Sequence, residues 1–203
     1  MSQRTTDPNL GIPCVIVSGL GRCGSSLAMQ MLQAGGMRCV GTYPAFEHHA
    51  TIPEDLTLEW VQSAGGWAFK LLDPQRCAFR FDAARAVVIL LRRDPRQQAE
   101  SMAKFSSMVV GLPFSRGQRK RLAAAFASDL PNARAKFSAL PLVEMRFEEM
   151  IEAPIEAATR MRAFLYSHGF SLDAAKAARV VRPRSAACYP GLLEATLLEE
   201  IAV

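Results

Sequence analysis

Eight residues near the start of the chain, Gly19-Leu20-Gly21-Arg22-Cys23-Gly24-Ser25-Ser26, have the composition of an anion-binding loop. Glycines let backbone N–H groups curl around an anion, and a helix that starts there points its positive end at it. A nucleoside triphosphatase loop spaces its glycines as Gly19 and Gly24 are spaced and then places a lysine and a Ser or Thr. Here Ser25 and Ser26 occupy those two places, so the lysine is missing. A cation remains inside the loop as Arg22, whose guanidinium fork can grip two oxygens of one phosphate.

A second group follows the aliphatic run AVVILL (86–91): Arg92-Arg93-Asp94-Pro95, with Ser101 eight residues after Arg93. Asp94-Pro95 reads as a helix start, Asp as N-cap and Pro as first residue. If Arg93 turns back over that helix, it and Ser101 can reach one phosphate. Each group alone has a plain reading, a glycine-rich turn for the first and a capped helix with an ordinary serine for the second.

The elements that must carry these groups alternate in type. CVIVS (14–18), MRCVG (37–41), WAFKLL (67–72), AVVILL (86–91) and LPLVEMRF (140–147) read as strands. Helices are expected from Ser25 to the Gly35-Gly36 stop, from Pro53 to about Ser63, from Asp94 to about Phe105, over 116–137, and from Pro154 to about Ser167. Glu148 to Ile151 reads as a short turn of helix, and 171–203 as helical pieces around a loop. This alternation predicts an α/β fold, a three-layer α/β/α sandwich with a mainly parallel sheet, and the outline of the Gly19–Ser26 loop makes it of the P-loop nucleotide-binding type. Ligands in such folds sit on the loops at the carboxyl ends of the strands. That places both phosphate groups on the same rim.

Composition agrees with one globular domain over residues 1–203, with residues 1–12 as a loose polar arm that lacks a signal-peptide core. Half the residues are hydrophobic, yet no run approaches the length that crosses a bilayer, so no transmembrane segment is expected. The net charge of +5 suits an anionic ligand. Five cysteines with no C-x-x-C pair indicate neither a disulfide framework nor a zinc site, and a reducing, cytoplasmic setting is expected. SRGQRKR (115–121) is basic without interleaved aromatics and reads as a solvated helix start rather than a nucleic-acid surface.

Taken together, the two groups resemble the sulfotransferase family that uses 3′-phosphoadenosine 5′-phosphosulfate (PAPS). Gly21-Arg22-Cys23-Gly24-Ser25-Ser26 is similar to that family's 5′-phosphosulfate loop, and Arg93-Asp94-Pro95 with Ser101 to its 3′-phosphate motif. VEMRFEEMIEAP and RMRAFL extend the likeness, so that ordered features run from about residue 14 to 168. The resemblance implies PAPS as co-substrate, no metal, and transfer of a sulfonyl group to a hydroxyl or amine on a small-molecule, glycan or lipid acceptor. Gly21, Arg22, Cys23, Gly24, Ser25 and Ser26 would hold the 5′-phosphosulfate, and Arg93 and Ser101 the 3′-phosphate. Gly21 replaces the usual proline and Cys23 a hydroxyl residue. The family's late arginine-lysine-glycine clamp has no clean copy; Arg182 and Arg184 are the candidates.

The resemblance also suggests where a general base would lie. Cytosolic members use a histidine beside a lysine at the end of a strand, and here Lys70 has no such histidine after it. Lys70 is then either the lysine that stabilises the bridging oxygen or a strand-edge charge paired with Asp73. Other members use a glutamate in the loop beyond the second strand, where this chain has Glu47, followed by His48. Glu47 is the first candidate and His48 the second. Two other classes stay open: a P-loop nucleotide kinase or ATPase, and a non-catalytic nucleotide-binding protein of the same fold. The first expects a loop lysine and a strand ending in Asp, whereas AVVILL ends in two arginines.

Overall fold

The structure, a computed structural model, describes residues 11–182. The first ten residues of the expected arm, Arg184, and the tail beyond residue 182 lie outside the described residues. Four strands, β1 (Cys14–Gly19), β2 (Ala68–Leu72), β3 (Ala86–Arg92) and β4 (Leu142–Arg146), form one all-parallel sheet in the order β2-β1-β3-β4. All six residues of β1, and the first six of β3, are buried, as continuous aliphatic runs require when helices cover both faces.

Side-chain alternation splits the core into two layers. Val15, Val17, Val87, Ile89 and Leu91 face helices α1 (Ser25–Ala34), α5 (Phe147–Glu152), α6 (Pro154–Tyr166) and α7 (Ala174–Arg179). Ile16, Phe69, Leu71, Val88 and Leu90 face α2 (Leu58–Ser63) and the rings of Phe81 and Phe137. Helices α3 (Pro95–Phe105) and α4 (Arg116–Ala135) pack on each other between β3 and β4 in sequence. The expected α/β class and parallel sheet are what the protein has.

The chain leaves β1 for β2 on one side and later adds β3 on the other, so the order reverses at β1. Crevices outside the carboxyl ends of strands at such a reversal are where ligands bind in open α/β sheets. The loop after β1, the Lys70–Asp73 end of β2 and the Arg92–Pro95 turn all emerge there.

Two expected elements differ. Residues 37–41 form no strand, only an isolated parallel bridge between Cys39 and Ala68. Gly41, at φ +87°, turns the chain so tightly that a Cβ on it would lie 2.6 Å from the Phe46 backbone. The helix expected from Pro53 begins at Leu58 instead, because the Thr57 side chain accepts from Trp60 N at 3.2 Å and caps it there.

Candidate functional site

The loop between β1 and α1 is held from outside by its carbonyls. Asp73 N donates to Gly19 O at 2.9 Å. Gln98 Nε2 donates to Leu20 O at 3.2 Å and to Gly21 O at 2.6 Å. Arg93 Nη1 donates to Arg22 O at 3.2 Å. With its oxygens engaged outward, the loop needs a left-handed residue to enter the helix, and Gly24 supplies it at φ +98°. A Cβ on Gly24 would lie 2.4 Å from Phe147 Cδ2, so only glycine fits. No side chain caps α1 and no acid lies in its first turn. Its first N–H groups and the positive end of its dipole therefore face the rim with neither a side-chain cap nor a first-turn acid.

Gly21 has its own reason for being there. Its N–H donates to Asp73 Oδ1 at 3.2 Å, a bond that proline would forfeit. Burial pushes the Asp73 carboxyl above its usual range, and the Gly21 N–H pulls it back down. Arg22 adopts φ +68°, unusual for a residue with a side chain. Cys23 is buried, and burial pushes its thiol up to about 12. It therefore stays a neutral thiol at physiological pH.

One side of the loop gathers the second group. Arg22 Nε donates to Ser101 Oγ at 3.3 Å, across 79 residues of chain. Its guanidinium lies 4.8 Å from the Phe105 ring centroid, and that of Arg93 lies 4.3 Å from the ring of Phe147. Each guanidinium thus lies over an aromatic ring, a contact that uses none of its N–H groups. Arg22, Arg93 and Ser101 thus form one cationic corner with a buried hydroxyl.

The other side gathers around Lys70. Its side chain is 2% exposed, and Nζ donates to Glu47 Oε1, to Ala45 O at 2.5 Å and to Ser26 Oγ at 3.3 Å. Those three acceptors match the three hydrogens of an ammonium. Burial pulls the Lys70 pKa below the ordinary lysine value, and Glu47 pulls it back up. Of the two readings of Lys70, the pairing with Asp73 is therefore incorrect: Asp73 is taken up by the loop, and Lys70 faces Glu47. Ser25 is buried at the start of α1, and Ser26 also donates to Ala45 O at 3.2 Å. Glu47 keeps its side chain 69% exposed.

His48 is occupied in shaping its own loop. Its Nδ1 accepts from Ala50 N at 3.2 Å, and its ring stacks on His49 with centroids 4.4 Å apart. Arg182 is exposed one residue beyond Val181, which is buried in the layer under α1. Among the described residues no group of three or more His, Cys, Asp or Glu side chains is arranged to hold a metal, and no helix is long and apolar enough to cross a membrane.

The mouse sulfotransferase SULT7A1 complexed with PAP superposes on this chain with a TM-score of 0.54 over 83% of it, at 14% identity. The chain has a sulfotransferase fold. It covers 61% of that neighbour's length. Retinol dehydratase in complex with androsterone and inactive cofactor PAP matches at a TM-score of 0.46 and 15% identity, over 85% of this chain and 64% of its own. No family model and no curated protein matches by sequence.

Sequence reasoning misses four residues of this sulfotransferase-fold rim. By sequence, Asp73 reads only as a strand end and a partner for Lys70. Gln98 lies one helical turn before Ser101, on the same face of α3, and that spacing could have revealed it. Phe105 and Phe147 carry no sequence signal of their own, because ring stacking joins residues from separate elements.

Proposed function

We propose that this protein is a PAPS-dependent sulfotransferase. The observation that carries the reading is the uncapped start of α1, set between the Arg22–Arg93–Ser101 corner and the Lys70–Glu47 pair. Bound PAPS would supply an activated sulfonyl group on its 5′-phosphate. Arg22, Gly24, Ser25 and Ser26 hold that end through N–H groups, hydroxyls and the Arg22 fork, and Gly21 and Cys23 shape the loop around it through their bonds to Asp73 and to Leu20 O. Arg93 and Ser101 hold the 3′-phosphate, and Arg182 and Arg184 are the residues left to close over it.

Glu47 takes the proton from the acceptor hydroxyl or amine as the new bond to sulfur forms. The old bond from sulfur to the phosphate oxygen breaks, and its electron pair stays on that oxygen. Lys70 and the α1 dipole stabilise the charge that develops there. Lys70 also positions Glu47, because one ammonium touches both the carboxylate and Ser26 of the loop. None of these roles needs a metal.

Incubation with sulfur-labelled PAPS and a panel of hydroxyl- and amine-bearing small molecules, glycans and lipids tests the proposal. Label should pass to at least one acceptor class. Binding of adenosine 3′,5′-bisphosphate without any transfer would leave a nucleotide-binding protein and remove the enzyme.

A further inference from the structure

The corner between α3 and α4 begins just past Phe105, and its surface is unusual. Residues Ser106–Val110 continue α3 as a wider π-type turn that ends at Gly111, in the left-handed region at φ +71°. Met108, Val109 and Leu112 project from it with 47%, 45% and 60% of their surface exposed. Single exposed apolar residues are ordinary, but three within five positions on one protruding turn form a patch that marks an interaction surface.

Directly beyond the turn, Arg116, Lys120 and Arg121 are exposed in the first turns of α4. Arg119 is the neighbour that the protein itself neutralises, through Glu100 at 3.2 Å. The first turn of α4 holds no acid, so these cations sit at the positive end of a helix, where they oppose its dipole. Helix stability does not account for them. Of the twenty residues of α4, only Ala133 is buried, so the helix leaves most of its surface open. A groove of about 750 Å³ runs between α3 and α4 from this corner, walled by Arg96, Arg116, Arg119 and Lys120, with Asp94 and Glu100 as its acids.

We propose that this corner docks on an anionic phospholipid bilayer. Met108, Val109 and Leu112 enter the interfacial zone, while Arg116, Lys120 and Arg121 lie among the phosphates. An apolar tip with a basic collar matches the layering of such a surface, apolar beneath and anionic above. A nucleic acid would match the collar and leave the apolar tip in water. A second copy would bring two like-charged collars together.

Vesicle co-sedimentation of the full chain tests this, with phosphatidylcholine alone and with phosphatidylcholine containing phosphatidylglycerol. The wild type should pellet with the anionic vesicles at low salt, stay in solution with the neutral ones, and be released by added salt. Val109→Asp with Leu112→Asp should lower the pelleted fraction several-fold, and Arg116→Glu with Lys120→Glu should do the same. All four side chains are on the surface, so melting temperatures should hold; if the apolar pair unfolds, the charge-reversal pair decides. The proposal is overturned if the wild type ignores anionic vesicles, or if either folded variant pellets as the wild type does. It is equally overturned if gel filtration reveals a dimer that the Val109→Asp, Leu112→Asp chain cannot form. No nucleotide enters this measurement, so its failure is distinct from a failure of the sulfotransferase reading.

Discussion

Lys70 and Glu47, 23 positions apart, are joined by a hydrogen-bonded ion pair at the rim of the loop between β1 and α1. The lysine is buried and the carboxylate is open to solvent. Such a pair holds a proton acceptor in a fixed place while leaving it reachable by a substrate. Glu47→Gln should therefore keep nucleotide affinity and lose roughly 10²–10⁴-fold in turnover, since the amide keeps the shape and cannot take the proton. Steady-state rates alongside calorimetric affinities check this. His48→Asn should have the smaller effect, and the reverse order would move the base to His48.

Lys70 gives the protein a pH signature. Its folded pKa lies below the ordinary lysine value of 10.5 because burial disfavours the charge. Between the lowered pKa and 10.5 the unfolded chain binds a proton that the folded chain does not. Stability therefore rises with pH across that window, relative to a Lys70→Met chain, and is lost again as pH falls. Urea unfolding of both chains over a pH series measures the difference. Turnover should fall on the alkaline side before ordinary lysines titrate, because the Lys70 cation is lost early.

Gly24 is the backbone hinge of the loop. Gly24→Ala must hold a side chain at φ +98° and place its Cβ against Phe147. The left-handed strain alone costs about 1–3 kcal/mol. Denaturant unfolding should show at least that loss, and replacing Phe147 by leucine should restore part of it by making room. Unchanged stability would mean that the loop enters α1 by another path.

The sheet is legible in the sequence because parallel strands covered on both faces are continuous aliphatic runs, and AVVILL predicts β3 to within one residue. The residues around Cys39 read as a strand because they favour one; the turn at Gly41 decides otherwise through a backbone contact with Phe46, which periodicity does not encode. The loop residues are legible from type and spacing. Their mutual arrangement is not, since Arg22 meets Ser101 and Lys70 meets Glu47 only through the order of the strands. By sequence, Asp73 is a near partner for Lys70. In the fold, Asp73 sits past the strand end at φ +51°, where its carboxylate turns to Gly21 instead.

Arg93 tests the second half of the proposed nucleotide site. Arg93→Ala removes the fork stacked on Phe147 and the bond to Arg22 O. It should cut the preference for nucleotides with a 3′-phosphate over those without one, because a charge-assisted contact typically contributes about 1.5–3 kcal/mol. Competition binding with adenosine 3′,5′-bisphosphate and adenosine 5′-phosphate reads that ratio. A ratio equal to the wild type's would remove Arg93 from the 3′-phosphate.

The most direct test of the central claim is ligand-dependent thermal unfolding of the wild-type chain. Adenosine 3′,5′-bisphosphate at a hundred times its dissociation constant should stabilise the fold by about 2.7 kcal/mol, seen as a clear rise in melting temperature. ATP with magnesium should give little, since Ser25 stands where a triphosphatase lysine would be. Arg22→Ala should shrink the first shift. A rise with ATP and magnesium alone would contradict the account in favour of a nucleotide kinase or ATPase, and no rise with either would contradict the nucleotide site itself.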